Sequence, residues 1–154
     1  MTPLLEPLDV RFTSTLPGEC RDALGKLVFE HPLQGRMRLS ILDNIHAHGA
    51  PRIAGDAVLR VEVEKIPGAQ NLFVLTETEG RVRLLGFALY TRAGEHLDIL
   101  FLAVRHAYTD GGRLARFGLT YRLMAELKRI AHHVKGVADV RLRYRKGQAL
   151  ILPV

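Results

Sequence analysis

The chain predicts an α+β fold, a mostly antiparallel central sheet with helices packed on its faces. Three observations carry this. Apolar residues alternate with polar ones in short runs through the middle of the chain, the period of a half-buried strand. Pro-Gly, Glu-Gly and Ala-Gly pairs separate these runs by connections too short for anything but neighbouring antiparallel strands. Helix-period segments lie before and after them, which places the helices outside the meander.

Taken in order, Val10 to Ser14 alternates and reads as a first short strand. Thr15-Leu16-Pro17-Gly18-Glu19 is a helix-entry signal. The helix after it puts Cys20, Ala23, Leu24, Leu27 and Val28 on one face and ends at His31-Pro32. A second helix is expected from about Gly35 to Ala47, with Met37, Ile41, Leu42 and Ile45 as its buried stripe, closed by Gly49 and Pro51. Leu59, Val61 and Val63 then alternate with charged residues, a strand with one wet face. Strands at Leu72–Thr76 and Val82–Thr91 follow, and the meander has roughly four strands. Gly86 inside the second of these marks a bulge or a close backbone approach.

The run Leu97 to Val104 is apolar on both sides and reads as the central strand, covered on both faces. Strict alternation puts Leu97, Ile99, Phe101 and Ala103 on one face and Leu100, Leu102 and Val104 on the other. A turn from Arg105 to Gly112 leads to a long helix from about Arg113 to Val134. Its apolar surface holds Leu114, Phe117, Tyr121 and Met124 beside Leu119, Leu123, Leu127, Ile130 and Val134. Val137 to Val154 forms one or two further strands, with an apolar finish at Ala149–Leu152.

The bulk composition bounds the function. With 154 residues, one domain spanning 1–154 is expected. No run of eighteen apolar residues exists, which argues against a membrane-spanning helix, and the N-terminal residues lack a signal-peptide pattern, so a cytoplasmic location is expected. The single cysteine excludes an internal disulfide and a cysteine-based zinc site. His46 and His48 are two apart and His132 and His133 adjacent, so neither pair shares a helix face, and no metal site is expected. The net charge of +6 is uneven: residues 1–80 carry 8 Lys+Arg against 11 Asp+Glu, and residues 81–154 carry 14 against 5. A positive field over the second half would draw a phosphorylated cofactor, a nucleic acid or an acidic partner.

The chemistry-bearing stretch is the central strand, the glycine-containing turn and the helix after it. Backbone N–H groups at a helix entry and the helix dipole together favour a bound anion. No phosphate-binding loop ending in Gly-Lys-Ser/Thr, no Gly-x-Gly-x-x-Gly and no Gly-x-Ser-x-Gly occurs.

The element order resembles the GNAT acetyltransferase superfamily: strand, two helices, antiparallel strands, a central strand passing through a turn into a long helix, and another strand. Leu102-Ala103-Val104-Arg105-His106-Ala107-Tyr108 looks like the end of that family's fourth strand. Thr109-Asp110-Gly111-Gly112-Arg113-Leu114-Ala115-Arg116 occupies the place of its Arg/Gln-x-x-Gly-x-Gly/Ala turn, with the glycines adjacent rather than spaced. The strand at 57–64 is an addition to that order.

The resemblance implies a GNAT-like fold that binds acetyl-coenzyme A or another acyl-coenzyme A. The cofactor would be held at Val104, Gly111, Gly112, Arg113, Leu114, Ala115 and Arg116, with backbone N–H groups of the turn taking the pyrophosphate. It also implies attack on the thioester by the amine of a small molecule or peptide. Glu95, Asp98 or His106 would take the proton, Tyr108 or Tyr121 would act as acid, and backbone N–H groups near Val104 would stabilise the oxyanion. A non-catalytic coenzyme A-binding relative fits the same features. The alternative is a basic module for nucleic acid or a protein partner, built on Arg113, Arg116, Arg122, Arg141, Arg143, Arg145 and Lys146. A further expectation is a homo-oligomer paired along the Ala149–Val154 edge.

Overall fold

The computed structural model describes residues 9–29, 49–108, 112–145 and 148–154. Among these, the strands are β1 (Arg11–Thr13), β2 (Leu16–Pro17), β3 (Pro51–Ala54), β4 (Val58–Val63), β5 (Gln70–Thr78), β6 (Arg81–Ala93), β7 (His96–Val104), β8 (Asp139–Arg145) and β9 (Gln148–Pro153). The α-helices are α1 (Arg21–Phe29) and α2 (Leu119–His132). The fold is α+β. The helix expected near Gly35–Ala47 lies outside the described residues.

A mixed six-stranded sheet runs in the order β1-β5-β6-β7-β8-β9, and a three-stranded sheet in the order β2-β4-β3. β1, β5, β6 and β7 pair antiparallel, β7 pairs β8 in parallel, and β8 pairs β9 antiparallel. α2 makes the crossover that the parallel pair requires. Two segments expected at helix boundaries are strands of the small sheet. Leu16–Pro17, expected as helix entry, pairs first with Leu59 and Val58 as β2. Pro51–Ala54, expected to close a helix, pairs with β4 as β3.

β4 was expected in the meander, and it belongs instead to the small sheet. Its wet face explains this. Leu59, Val61 and Val63 are buried while Val58 and Arg60 are exposed, so the strand lies with one face down on the large sheet. One core layer forms there: Leu16, Leu24, Leu27, Leu59 and Val61 pack over Phe73, Leu75, Leu84, Phe87 and Leu89. The rings of Phe73, Phe87 and Phe101 line up across β5, β6 and β7, with centroids 5.4 and 5.8 Å apart. On the opposite face, α2 buries Leu119, Leu123, Leu127 and Ala131 against Leu72, Val74, Leu85, Ala88 and Val140.

β7 is an interior strand with a core on each side, and two bulges set which side chain faces which. The register steps from Leu89↔Phe101 to Tyr90↔Ile99, so Leu100 is an extra residue in β7. An inserted residue reverses the alternation beyond it. Leu97 and Ile99 therefore share the α2 side with Leu102 and Val104, while Phe101 and Ala103 lie on the α1 side with Leu100. The strict alternation expected for this strand is corrected accordingly. A second bulge leaves Leu85 extra in β6, next to Gly86. A Cβ on Gly86 would stand 3.1 Å from Val104 Cγ1 and 3.2 Å from the Ala103 carbonyl, so both readings of that glycine hold.

Candidate functional site at the carboxyl end of the central strand

Beyond Val104 the chain folds into a compact loop before α2 begins. Arg105 N–H donates to the Leu85 carbonyl at 2.8 Å, which carries the strand pairing one residue further. His106–Tyr108 make a 3-10 turn, closed by Tyr108 N–H on the Arg105 carbonyl at 2.9 Å. Gly112 sits against this turn. A Cβ there would come within 2.5 and 2.6 Å of the Ala107 and His106 carbonyl oxygens, so only glycine lets the chain pass. A second 3-10 turn, Ala115–Phe117, follows, and the Tyr108 and Phe117 rings lie 6.4 Å apart between the two.

The loop uses amides expected to face a ligand. Leu114 N–H donates to the Ala107 carbonyl at 2.7 Å and Ala115 N–H to the Gly112 carbonyl at 3.2 Å. Val104 is buried at the strand end, and Arg113 is exposed. Gly111 and the Arg116 side chain lie outside the described residues.

The helix begins at Leu119, six residues after the expected Arg113. Leu114 and Phe117 keep helical spacing with Tyr121 and Met124, which disguises the break. Gly118 makes it: its φ of 58° and ψ of 40° are left-handed and cannot continue a right-handed helix. The first bond of α2 is Arg122 N–H to the Gly118 carbonyl at 2.9 Å, and the N-cap residue, Gly118, has no side chain with which to cap the helix. The first-turn amides of Leu119, Thr120 and Tyr121 therefore precede the helical ladder at the carboxyl end of β7. Tyr121, expected on the apolar surface, is 78% exposed beside them.

The three candidate bases do not meet at one place. His106 belongs to the first 3-10 turn and is exposed. Asp98 is six residues back from Val104 along β7, on the order of 20 Å from the strand end at strand rise, and Glu95 is nine residues back, on the order of 30 Å. Glu95 is exposed in the β6–β7 turn, where its carbonyl accepts from Ala138 N–H at 2.7 Å. Asp98 is half-buried on the sheet face away from α2, in register with Thr91 on β6 and Arg141 on β8.

Around Asp98 the parallel pairing assembles groups that the linear sequence does not. His96 lies opposite Asp139, with its Nδ1 3.3 Å from Asp139 Oδ1 in a buried but poorly aligned contact. Arg141 Nε donates to Asp139 Oδ1 at 3.0 Å. His96, Asp98, Asp139 and Arg141 thus form a polar row on one face of β7 and β8. His96/Asp98 and Asp139/Arg141 each show the two-residue spacing of one strand face, but only the crossover reveals that they are neighbours. The register of β7 with β8 runs from His96/Asp139 to Ile99/Leu142, whereas β7 itself continues to Val104.

Part of the basic surface is neutralised within the chain. Arg141 is held by Asp139 at 3.0 Å, and Arg129, outside the expected basic set, is held by Glu126 at 2.6 Å. The side chains of Arg143 and Arg145, and Lys146 entirely, lie outside the described residues. Among the described residues, no group of three or more His, Cys, Asp or Glu side chains is placed to hold a metal ion. No described helix is long and apolar enough to cross a membrane. No protein-family model matches the chain, and no curated protein or solved structure is significantly similar to it.

Proposed function

We propose that this chain binds an acyl-coenzyme A and transfers the acyl group to an amine. The observation that carries the reading is the β7–α2–β8 crossover: the start of α2 lies at the carboxyl end of an interior strand, at the sheet's parallel pair. Ligands of sheets with parallel strands bind outside the carboxyl ends of those strands, and a helix start there favours phosphate. The same element order carries the resemblance to the GNAT superfamily. In this reading the pyrophosphate lies against the first-turn amides of α2, with Gly112 and the two 3-10 turns as its floor. The pantetheine arm runs back along β7 and places the thioester near the Leu100 bulge. The amine approaches the face that carries Asp98, which takes its proton as the C–N bond forms, while a backbone N–H of β7 steadies the oxyanion. The C–S bond then breaks and coenzyme A leaves as a thiolate that takes a proton from solvent.

Thermal denaturation with acetyl-coenzyme A tests the binding step. At ligand a hundredfold above Kd, mass action adds about 2.7 kcal/mol, or a rise in Tm of roughly 5–10 °C for a chain of this size. Thr120→Glu puts a carboxylate beside those amides and should abolish the shift. No rise with the wild-type chain overturns the proposal. A rise without transfer to any amine leaves a coenzyme A-binding protein that does no chemistry. A salt-sensitive gel shift with random RNA or DNA, in place of a coenzyme A response, would favour the nucleic-acid module.

A further inference from the structure

We infer that β9 is the seam of a symmetric dimer, in which two copies of this chain join their large sheets edge to edge. β9 is the terminal strand of the six-stranded sheet. Its segment, Gln148 to Val154, contains no charged residue, in a chain where a quarter of the residues are charged. Leu150, Ile151 and Val154 are 44%, 50% and 40% exposed. Sheet edges in soluble proteins are ordinarily guarded by charge, by a bulge or by extreme shortness. β1, at the opposite edge, is only three residues long. β9 has six residues and no guarding charge.

The occupant follows from the direction of the backbone groups. Val154 N–H donates to the Ala138 carbonyl at 3.0 Å, so it points toward β8. Alternation along the strand then turns Leu152 and Leu150 toward β8 and leaves the N–H and C=O of Ile151 and Ala149 pointing outward. Pro153 shares the outward side, where its missing N–H leaves no ladder bond unmade. This edge is complementary to itself. Turned end for end about Ile151, a second copy exchanges two hydrogen bonds at the Ile151 pair. It gains two more from Ala149 N–H to the opposite Pro153 carbonyl. Ile151 then covers Ile151 of the other copy, and Leu150 meets Leu152. The absence of charged side chains lets two molecules of net charge +6 approach at this edge. A seam of six residues is smaller than the roughly 800 Å² per partner of a standard interface, so the association is of the weak, reversible class.

Sedimentation equilibrium of the full chain across the micromolar range reads the dimer. Ile151→Lys opposes two ammonium groups at the dyad and should move the midpoint at least roughly tenfold toward higher concentration, with far-ultraviolet circular dichroism unchanged. A second variant identifies the register. Self-opposed residues in this pairing lie about 5.5 Å apart between Cα atoms, within disulfide range, while diagonal neighbours at about 7–8 Å lie outside it. Ile151→Cys should therefore give a covalent dimer on mild oxidation, and Leu150→Cys should not. The native thiol does not interfere, because Cys20 is the single cysteine and is buried. A wild-type chain that stays monomeric overturns the inference. So does a dimer that Ile151→Lys leaves intact, or one in which both cysteine variants cross-link equally.

Discussion

Asn71 is the buried polar side chain of the described core, 8% exposed, and it does the work of a missing strand. Its carboxamide oxygen accepts from Val61 N–H at 2.8 Å and its amide nitrogen donates to the Val61 carbonyl at 3.0 Å. One side chain on β5 thereby satisfies both backbone groups of a β4 residue and pins the small sheet to the large one. Removing it leaves a buried donor and acceptor unmet, so Asn71→Ala should cost about 1–3 kcal/mol in urea unfolding. Asn71→Asp should cost at least as much despite its matching shape, because a carboxylate oxygen would face the Val61 carbonyl. The sequence shows Asn71 only as a polar residue ahead of an apolar run. Its partner lies ten positions upstream on a strand of another sheet, and no local period reports that.

At the scale of elements, two glycines predict opposite outcomes. Gly118 holds a left-handed conformation at the start of α2, so Gly118→Ala should cost about 1–2 kcal/mol. Gly25 lies inside α1, with nothing within 4 Å of where its Cβ would stand. Gly25→Ala should stabilise by roughly 0.5–1 kcal/mol through helix propensity. Thermal unfolding of the two variants checks the pair, and shifts of the same sign would refute the assignment of α2's first residue. Most elements were legible because apolar periodicity is local: α1, β4, β5, β6, β7 and the body of α2 stand where the pattern puts them. The start of α2 was not, since Leu114 and Phe117 mimic a helical stripe through the second 3-10 turn. β3 has only four residues, too few for alternation to register.

For the molecule as a whole, the large sheet separates two cores, and each contains a group that resists ionising. Burial, with Glu19 nearby, raises the Cys20 thiol above its ordinary 9.0, although Arg105 partly opposes this. Burial, with Glu126 nearby, raises the Tyr90 phenol above its ordinary 10.0. Both are neutral when protonated, and the folded state holds their protons longer than the unfolded chain does. Their contribution is thus fully present below the unfolded values and is lost as pH rises through the raised ones. The Tm of the wild-type chain should fall from about pH 9 upward, and the fall should be shallower in a Cys20→Ala/Tyr90→Phe double variant. Equal slopes in the two proteins would refute this. At this scale the sequence was least informative. Pairing direction across α2 is a property of the path, so the parallel partnership of β7 with β8 had no local sign. His96 and Asp139, which that partnership brings together, went unnoticed for the same reason, while Asp98 stood out only because its strand is otherwise apolar.

The surplus residue at Leu100 has one more effect. It sits where the chain's count and the sheet's geometry are out of step by one, and the mismatch is absorbed there. Shortening the chain by that residue would leave Leu97 and Ile99 on one side, and Phe101 and Ala103 on the other, each still over its own core. β7 thus holds a place where length can change without turning the interior of the protein inside out.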